Sequence, residues 1–335
     1  MKLTQQDLDT ISQDAIKKKH IFGFVMHVRR GEDVFTTAAG DLEASSRFFA
    51  ASVTKLFVTA TILQLEAEKR LSLTDKISKY LPADVITGLH NKNGVDRSGE
   101  IEMVHLLSNT SGIPDYFQGD TVNRLIAGED EPWGFWPVIK AAKQRQPKFL
   151  PGKGAQYSDT NFQLLGAIIE AITKLTLDAV FDERIIGPLS LKNTYIYRGE
   201  PDPQLVPMYY KGRTLELPRY MSSIGPEGGL VSTAEELGLF TEAFFNGQLF
   251  NKDRLNDLYR WRLLFSPGVF FYGIGVSRQP TSILHLSKGL YGHWGHSGAF
   301  AFFDPKTATC LSGTVNQFFG HNVAARAMIK VLRSA

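Results

Sequence analysis

Cysteine is almost missing from this chain of 335 residues: Cys310 is the single example. One thiol excludes an intramolecular disulfide and any cysteine-based zinc cluster. Its apolar setting at 308–313 predicts a buried structural thiol. A large charge imbalance is missing too. Lys plus Arg number 37 and Asp plus Glu 34, for a net charge of +3. That difference, with no dense Lys/Arg run, excludes a nucleic-acid footprint. No apolar stretch approaches the ~18 residues of a spanning helix. The first residues also lack the ~7–15-residue apolar core of a signal peptide, since Gln5, Gln6, Asp7 and Asp9 fall there. With Met1 as the native start, the expected location is the cytoplasm, with no membrane partner.

What is present is ordinary globular material. A hydrophobic content of 43% and an aromatic content of 11% exclude a disordered or fibrous chain. The length allows a large core without staples. Leu8, Ile11 and Ala15 carry helical spacing within 4–19. Residues 22–30 and 34–39 read as a hairpin turning at Arg-Gly-Glu-Asp. The stretch 53–69 is mostly apolar and free of Gly and Pro, long enough for a buried helix. Further helices are predicted at 161–173, 233–246 and 321–333, and further strands at 270–276, 284–287, 298–303 and 309–315. The last hairpin turns at Asp304-Pro305-Lys306. Strands therefore sit at both ends of the chain and helices in the middle. The expectation is an α/β protein of the α+β kind. Residues 1–60 and 220–335 would build an antiparallel sheet flanked by helices, and 61–219 a mainly helical domain. A cleft between two such lobes is a normal place for a small-molecule site.

Three segments could carry chemistry. In Ser52-Val53-Thr54-Lys55, serine falls at the start of an apolar helix, and a residue three later shares its face. Desolvation disfavours the ammonium form of Lys55, and an amine beside a hydroxyl is a base beside a nucleophile. The helix N-terminus supplies partial positive charge and free N–H groups for an oxyanion. Taken alone, Ser52 could equally be an N-cap and Lys55 a snorkelling side chain. The second segment, 151–161, is a Gly-rich loop entering a helix, with Tyr157 just before a cap formed by Ser158 or Asp159. Its bland reading is a surface turn. The third, Tyr291-Gly292-His293-Trp294-Gly295-His296-Ser297-Gly298, places glycines ahead of a strand, where backbone can approach a ligand. Its histidines lack the partners of a metal site, so no metal and no cofactor is expected. The aromatics of 131–136 read as core packing.

Together, S-x-x-K at Ser52 and Lys55, Tyr157 in the Y-x-N position and H-x-G at His293 and Gly295 resemble the serine β-lactamase and penicillin-binding-protein superfamily. Within it, the chain is similar to the branch of class C β-lactamases, D-Ala-D-Ala carboxypeptidases and family VIII esterases. His105–Pro114, Phe149–Gly166 and Gly228–Thr233 resemble the family's connecting segments, so the likeness spans roughly 20–330. The resemblance implies a β-lactamase/transpeptidase-like fold and an acyl-enzyme at Ser52. It implies Lys55 as base or relay and Tyr157 as the shuttle to the leaving group and the deacylating water. The N–H groups of Ser52 and His296 would form the oxyanion hole. His293, Trp294 and Gly295 would border the pocket.

Two departures from the pattern bear on substrate. Asp159 stands where the family often has Asn and cannot offer the same donor. His293 replaces a lysine, and a neutral imidazole is a poorer carboxylate anchor. Both favour neutral esters or small amides over β-lactams and acyl-D-Ala peptides, which remain the alternative. A catalytically silent module and an acyltransferase on the same fold are further alternatives. An α/β-hydrolase elbow at Gly295–Ala299, with Asp304 and His321, fails because its serine should open a helix and a strand follows instead. Oligomeric state is left open.

Overall fold

The computed structural model describes residues 3–264, 270–281 and 288–334. Among them, eight strands form one antiparallel sheet. Its order is Arg262–Leu264, Phe270–Tyr272, Ser277–Pro280, Gly289–Trp294, Ala299–Asp304, Thr309–Thr314, Gly23–Arg30 and Asp33–Gly40. The two ends of the chain thus meet where Val25 pairs with Thr314 and Arg30 with Thr309. The first hairpin runs from Gly23 opposite Gly40 to Arg30 opposite Asp33, leaving a two-residue turn with Gly31 at φ +59°. Only glycine takes that conformation without a steric penalty.

Helices cover both faces. Gln5–Ile16 starts with a capping box between Thr4 and Asp7 and packs with His321–Ser334 on one face. There Leu8, Phe24, Phe300, Phe302 and Met328 share a core. On the other face a larger core runs from Val25, Ala299 and Ala301 through Phe57 and Phe240 to Leu165 and Ile169. Its centre is the helix Thr54–Ala67, apolar nearly all round and buried on every side from Thr54 to Leu63.

Several boundaries and elements differ from expectation. The helix expected from 161 begins at Asp159, and Ser158 is its N-cap without a side-chain bond. Residues 270–276 give a strand only to Tyr272, followed by a turn and a strand Ser277–Pro280 that reads as polar in sequence. Gly289–Trp294 is a strand as well, so His293 and Trp294 stand on the sheet, opposite Ala301 and Phe300. Two glycines and no β-branched residue hide that strand from a propensity reading. The strand expected at 284–287 lies outside the described residues. Of the aromatics at 131–136, Trp133 stacks on Tyr116 with centroids 5.2 Å apart, but Trp136 is exposed. Cys310 is buried as expected, and burial pushes its thiol up to about 12.

Candidate active site

Ser52 sits in the 3₁₀ turn Ala51–Val53 that leads into Thr54–Ala67. The preceding Ala51 has φ +47°, a conformation unfavourable for a residue with a Cβ. Neighbouring elements hold the turn in place. Ala50 N–H donates to Leu230 O at 2.8 Å, Ser297 Oγ donates to Phe49 O at 2.6 Å, and Thr54 Oγ1 donates to Ala51 O at 2.6 Å. From the sheet, Gly295 closes on the same turn. A Cβ there would stand 2.3 Å from Ala50 O, so the approach requires glycine. Ser297 is buried in that contact and leads into the strand Ala299–Asp304, which disposes of the elbow reading. His321, its other supposed member, donates from Nε2 to Gly295 O at 3.0 Å.

Lys55 is fully buried, and its Nζ donates to Ser52 Oγ at 2.9 Å and Glu227 O at 2.6 Å. Asp159 Oδ1 stands 2.6 Å from the same nitrogen, a contact of charges rather than an aligned hydrogen bond. Three acceptors match the donor set of an ammonium group. The spacing of Ser52 and Lys55 predicts only a desolvated amine; the structure adds the Asp159 carboxylate, which turns to the lysine and caps no helix. Behind this pair lies a layer that no local spacing announces. Asp115 Oδ1 accepts the backbone N–H of Asp159 at 3.0 Å and of Phe117 at 3.2 Å. Burial, and then the Asp159 charge, raise the Asp115 carboxyl to about 7. Glu227 takes a short hydrogen bond from the Tyr116 hydroxyl, and burial holds its carboxyl well above the usual range. The signals that could have found these two were their places beside family-like segments, Asp115 after Pro114 and Glu227 before Gly228-Gly229.

Tyr157 projects into the pocket with its hydroxyl facing Ser52 but without an aligned hydrogen bond. Burial, then the Asp159 charge, push its phenol well above 10. Tyr272 and His293, centroids 5.8 and 6.0 Å away, hold the ring. Tyr272 is another residue sequence reasoning missed. His293 Nδ1 is 2.7 Å from Trp294 O, a carbonyl that can only accept, so the proton sits on Nδ1. Its Nε2 is then free to accept from Tyr272 Oη at 3.3 Å. Burial lowers His293 to about 3, His296 to about 4 and His321 to about 4, with the positive charge of Lys55 the next cause for the first two. Trp294 donates from its indole to Gln279 Oε1 at 3.0 Å.

These side chains surround a cavity of about 350 Å³ that opens on Ser52. Ser52, Tyr157, His293, Trp294 and His296 all line it, and Gly295 supports its floor. Asp159 does not; it faces the neighbouring spaces. Among the described residues, no Asp, Glu, Lys or Arg lines this 350 Å³ cavity, although Asp159 and Glu227 line a smaller space that Ser52 also borders. Nor do the described residues include a group of three His, Cys, Asp or Glu able to hold a metal ion, or a helix long and apolar enough to cross a membrane.

A serine beside a buried lysine, on a helix packed against an antiparallel sheet, is the arrangement of the β-lactamase/transpeptidase fold. The Beta-lactamase family model matches residues 8–333, and the chain belongs to that family of serine β-lactamase-like hydrolases. A putative D-alanyl-D-alanine carboxypeptidase of Salmonella enteritidis PT4 is 25% identical over 292 residues, covering 76% of this chain and 66% of that protein. The match therefore spans just under two thirds of that relative's length. A D-stereospecific amidohydrolase from Streptomyces sp. superposes with a TM-score of 0.83 at 25% identity, covering 97% of this chain and 98% of its own. EstCE1, described as a hydrolase with promiscuous acyltransferase activity, shares the fold at a TM-score of 0.80 and 20% identity, covering 98% of this chain and 97% of its own.

Proposed function

We propose that this protein hydrolyses neutral carboxylic esters or small amides through an acyl-enzyme on Ser52. One observation carries the reading: Ser52 Oγ, 2.9 Å from a fully buried Lys55 Nζ, opens into a cavity with no charged side chain on its described wall. In the reaction, the Lys55 ammonium passes a proton to the Asp159 carboxylate 2.6 Å away, and the amine so formed takes the Ser52 proton as Oγ attacks the substrate carbonyl carbon, later replacing the proton that Tyr157 gives up. The N–H groups of Ser52 and His296 receive the developing oxyanion. The C–O or C–N bond then breaks, and Tyr157, a neutral phenol, hands a proton to the departing alcohol or amine. Water entering on the same side repeats the sequence in reverse and frees the acid. Asp159 orders Lys55, while His293, Trp294 and Gly295 shape the wall. The site would lie between a lobe of 1–60 with 220–335 and a helical lobe of 61–219.

Neutral substrates follow from the wall. The carboxylate of a β-lactam or a peptide terminus needs a cation, and burial keeps the imidazoles here uncharged above about pH 5. The amide alternative has its own support in the likeness to the Streptomyces amidohydrolase over nearly the whole chain. The test sets p-nitrophenyl acetate, a D-amino acid amide and a chromogenic cephalosporin before wild type and Ser52→Ala, with intact-mass detection of the acyl adduct. Ester or amide turnover and an adduct, both lost in Ser52→Ala and both weak with the cephalosporin, are the expected result. Turnover that survives Ser52→Ala sinks the proposal. A protein inert to all three substrates would be the silent module.

A further inference from the structure

Phe319 lies between the strand Thr309–Thr314 and the helix His321–Ser334, and three features set it apart. Its φ is +65°, in a region where a bulky residue is an outlier. It is 43% exposed, unlike most large apolar side chains of this protein. It also lines two cavities at once: the 350 Å³ space that opens on Ser52, and an adjoining space of about 640 Å³. Strain and exposure both disfavour phenylalanine at this position. A glycine would relieve the first and a polar residue the second. Strained backbone at a cavity wall persists where the surroundings hold it, and here they do. Phe319 N–H donates to His296 O at 3.1 Å, and its ring meets His296 edge-on at 5.3 Å and Phe318 at 4.6 Å. His296 and Tyr157 also line both spaces, so the two meet beside the nucleophile.

The larger space has its own character. Phe117, Phe149 and Leu264 supply apolar wall, beside the buried Asp115, the Lys55-paired Asp159 and the exposed Lys148. A flat, uncharged ring suits such a wall, and an edge-on or offset ring contact with Phe319 adds to its burial. We propose that Phe319 is a specificity-determining residue. It divides the space before Ser52 into two chambers and grips an aromatic ring carried on one side of the ester or amide bond. This rests on the acyl-enzyme reading for its chemistry, but the grip itself is a binding property.

The experiment uses two series. One varies the acyl side, p-nitrophenyl acetate against p-nitrophenyl 3-phenylpropanoate; the other varies the alcohol side, ethyl acetate against benzyl acetate. In at least one series, wild type should prefer the ring-bearing ester, and Phe319→Ala should cut that preference in kcat/KM about tenfold, through KM. Phe319→Leu should fall between. Phe319→Gly should lose the preference as fully as Ala while its Tm rises by about 1–3 °C, because the strain is relieved. That rise separates loss of the ring from loss of the fold. A preference unchanged by Phe319→Ala in both series overturns the proposal. In parallel, calorimetric binding of 3-phenylpropanamide and of benzyl acetate to Ser52→Ala and to Ser52→Ala/Phe319→Ala reads the grip without turnover. At least one ligand should bind about tenfold more weakly to the second variant. Equal binding of both ligands overturns the proposal. Ring-dependent binding by a protein with no esterase or amidase activity would overturn the acyl-enzyme reading alone.

Discussion

The two sides of Ser52 are built from opposite materials. Behind it, Lys55, Asp159, Asp115 and Glu227 gather four ionisable groups in a buried layer, with Asp115 and Asp159 bordering the larger neighbouring space. In front, His293, His296 and His321 are, among the described residues, the ionisable groups other than Tyr157 on the cavity wall, and burial keeps all three neutral near pH 7. Charge is therefore concentrated behind Ser52 and absent from the described wall of the 350 Å³ cavity in front of it. A buried charge costs several kcal/mol unless its partners are close, and the back layer meets that requirement with contacts of 2.6–3.0 Å. Among the described residues, the front wall has no such partners and carries no charge. On this view, preference for neutral substrates follows from how the fold manages desolvation, with no selective contact required.

The largest way to break the contrast is to remove the one cation. Lys55→Met leaves the Asp159 carboxylate buried without its partner and Ser52 without its proton relay. We expect kcat/KM to fall by about 10²–10⁴-fold. Stability at pH 8 should fall by about 3–5 kcal/mol in urea titration, the cost of breaking a buried pair from one side. Lys55→Met/Asp159→Asn should recover much of that stability and none of the activity. A single variant as stable as wild type would show that the 2.6 Å contact does not hold charge in solution.

Tyr157 stands on the border between the two regions, its ring among the front residues and its hydroxyl over Ser52. Tyr157→Phe keeps the packing against Tyr272 and His293 and removes only the proton carrier. Turnover of an amide, whose leaving amine must be protonated, should drop by about 10²-fold or more. A p-nitrophenyl ester, whose leaving group needs no proton, should suffer less. Equal losses on both substrates would assign Tyr157 to the attack step in place of departure.

The contrast also explains what could be read in advance. Ser52 and Lys55 are three residues apart on one helix, and helix geometry turns that spacing into a contact. Tyr157, His293 and Gly295 lie in short segments whose residue types match the family pattern, and the cavity contains the first two. The back layer has no such local expression. Glu227 reaches Lys55 through its backbone carbonyl, and Asp115 and Tyr116 join the layer through Asp159 and Glu227, along chain paths set by tertiary packing. Asp159 was visible as a residue but not as a direction: a carboxylate at the first position of a helix reads as a favourable charge at its N-terminus. Only the approach of Thr54–Ala67 shows that it faces a lysine. The strand Gly289–Trp294 was hidden for a similar reason, because its stability comes from two neighbouring strands and not from its own side chains.

The smallest effect sharpens the comparison most, because the two regions should respond to pH in opposite senses. His321 is lowered by burial from 6.5 to about 4, so between those values the unfolded chain binds the proton that the folded chain refuses. Its contribution is complete above about pH 6.5 and is lost as pH falls towards 4. Asp115 is raised from 3.8 to about 7, so in that window the folded chain holds the proton and the unfolded chain does not. Its contribution is complete below about pH 4 and is lost as pH rises through 7. His321→Gln, which can keep a donor towards Gly295 O, should therefore flatten the fall of Tm between pH 6.5 and 4 and leave the neutral side nearly untouched. Asp115→Asn keeps an oxygen for the Asp159 and Phe117 N–H groups and should raise Tm at pH 8 relative to pH 5. Each shift should amount to a few degrees, on the order of 1 kcal/mol for a protein of this size. The pairing makes the measurement decisive. Two variants that shift Tm by the same amount at every pH have altered packing, whereas two that rotate the profile in opposite directions have altered charge on opposite sides of Ser52.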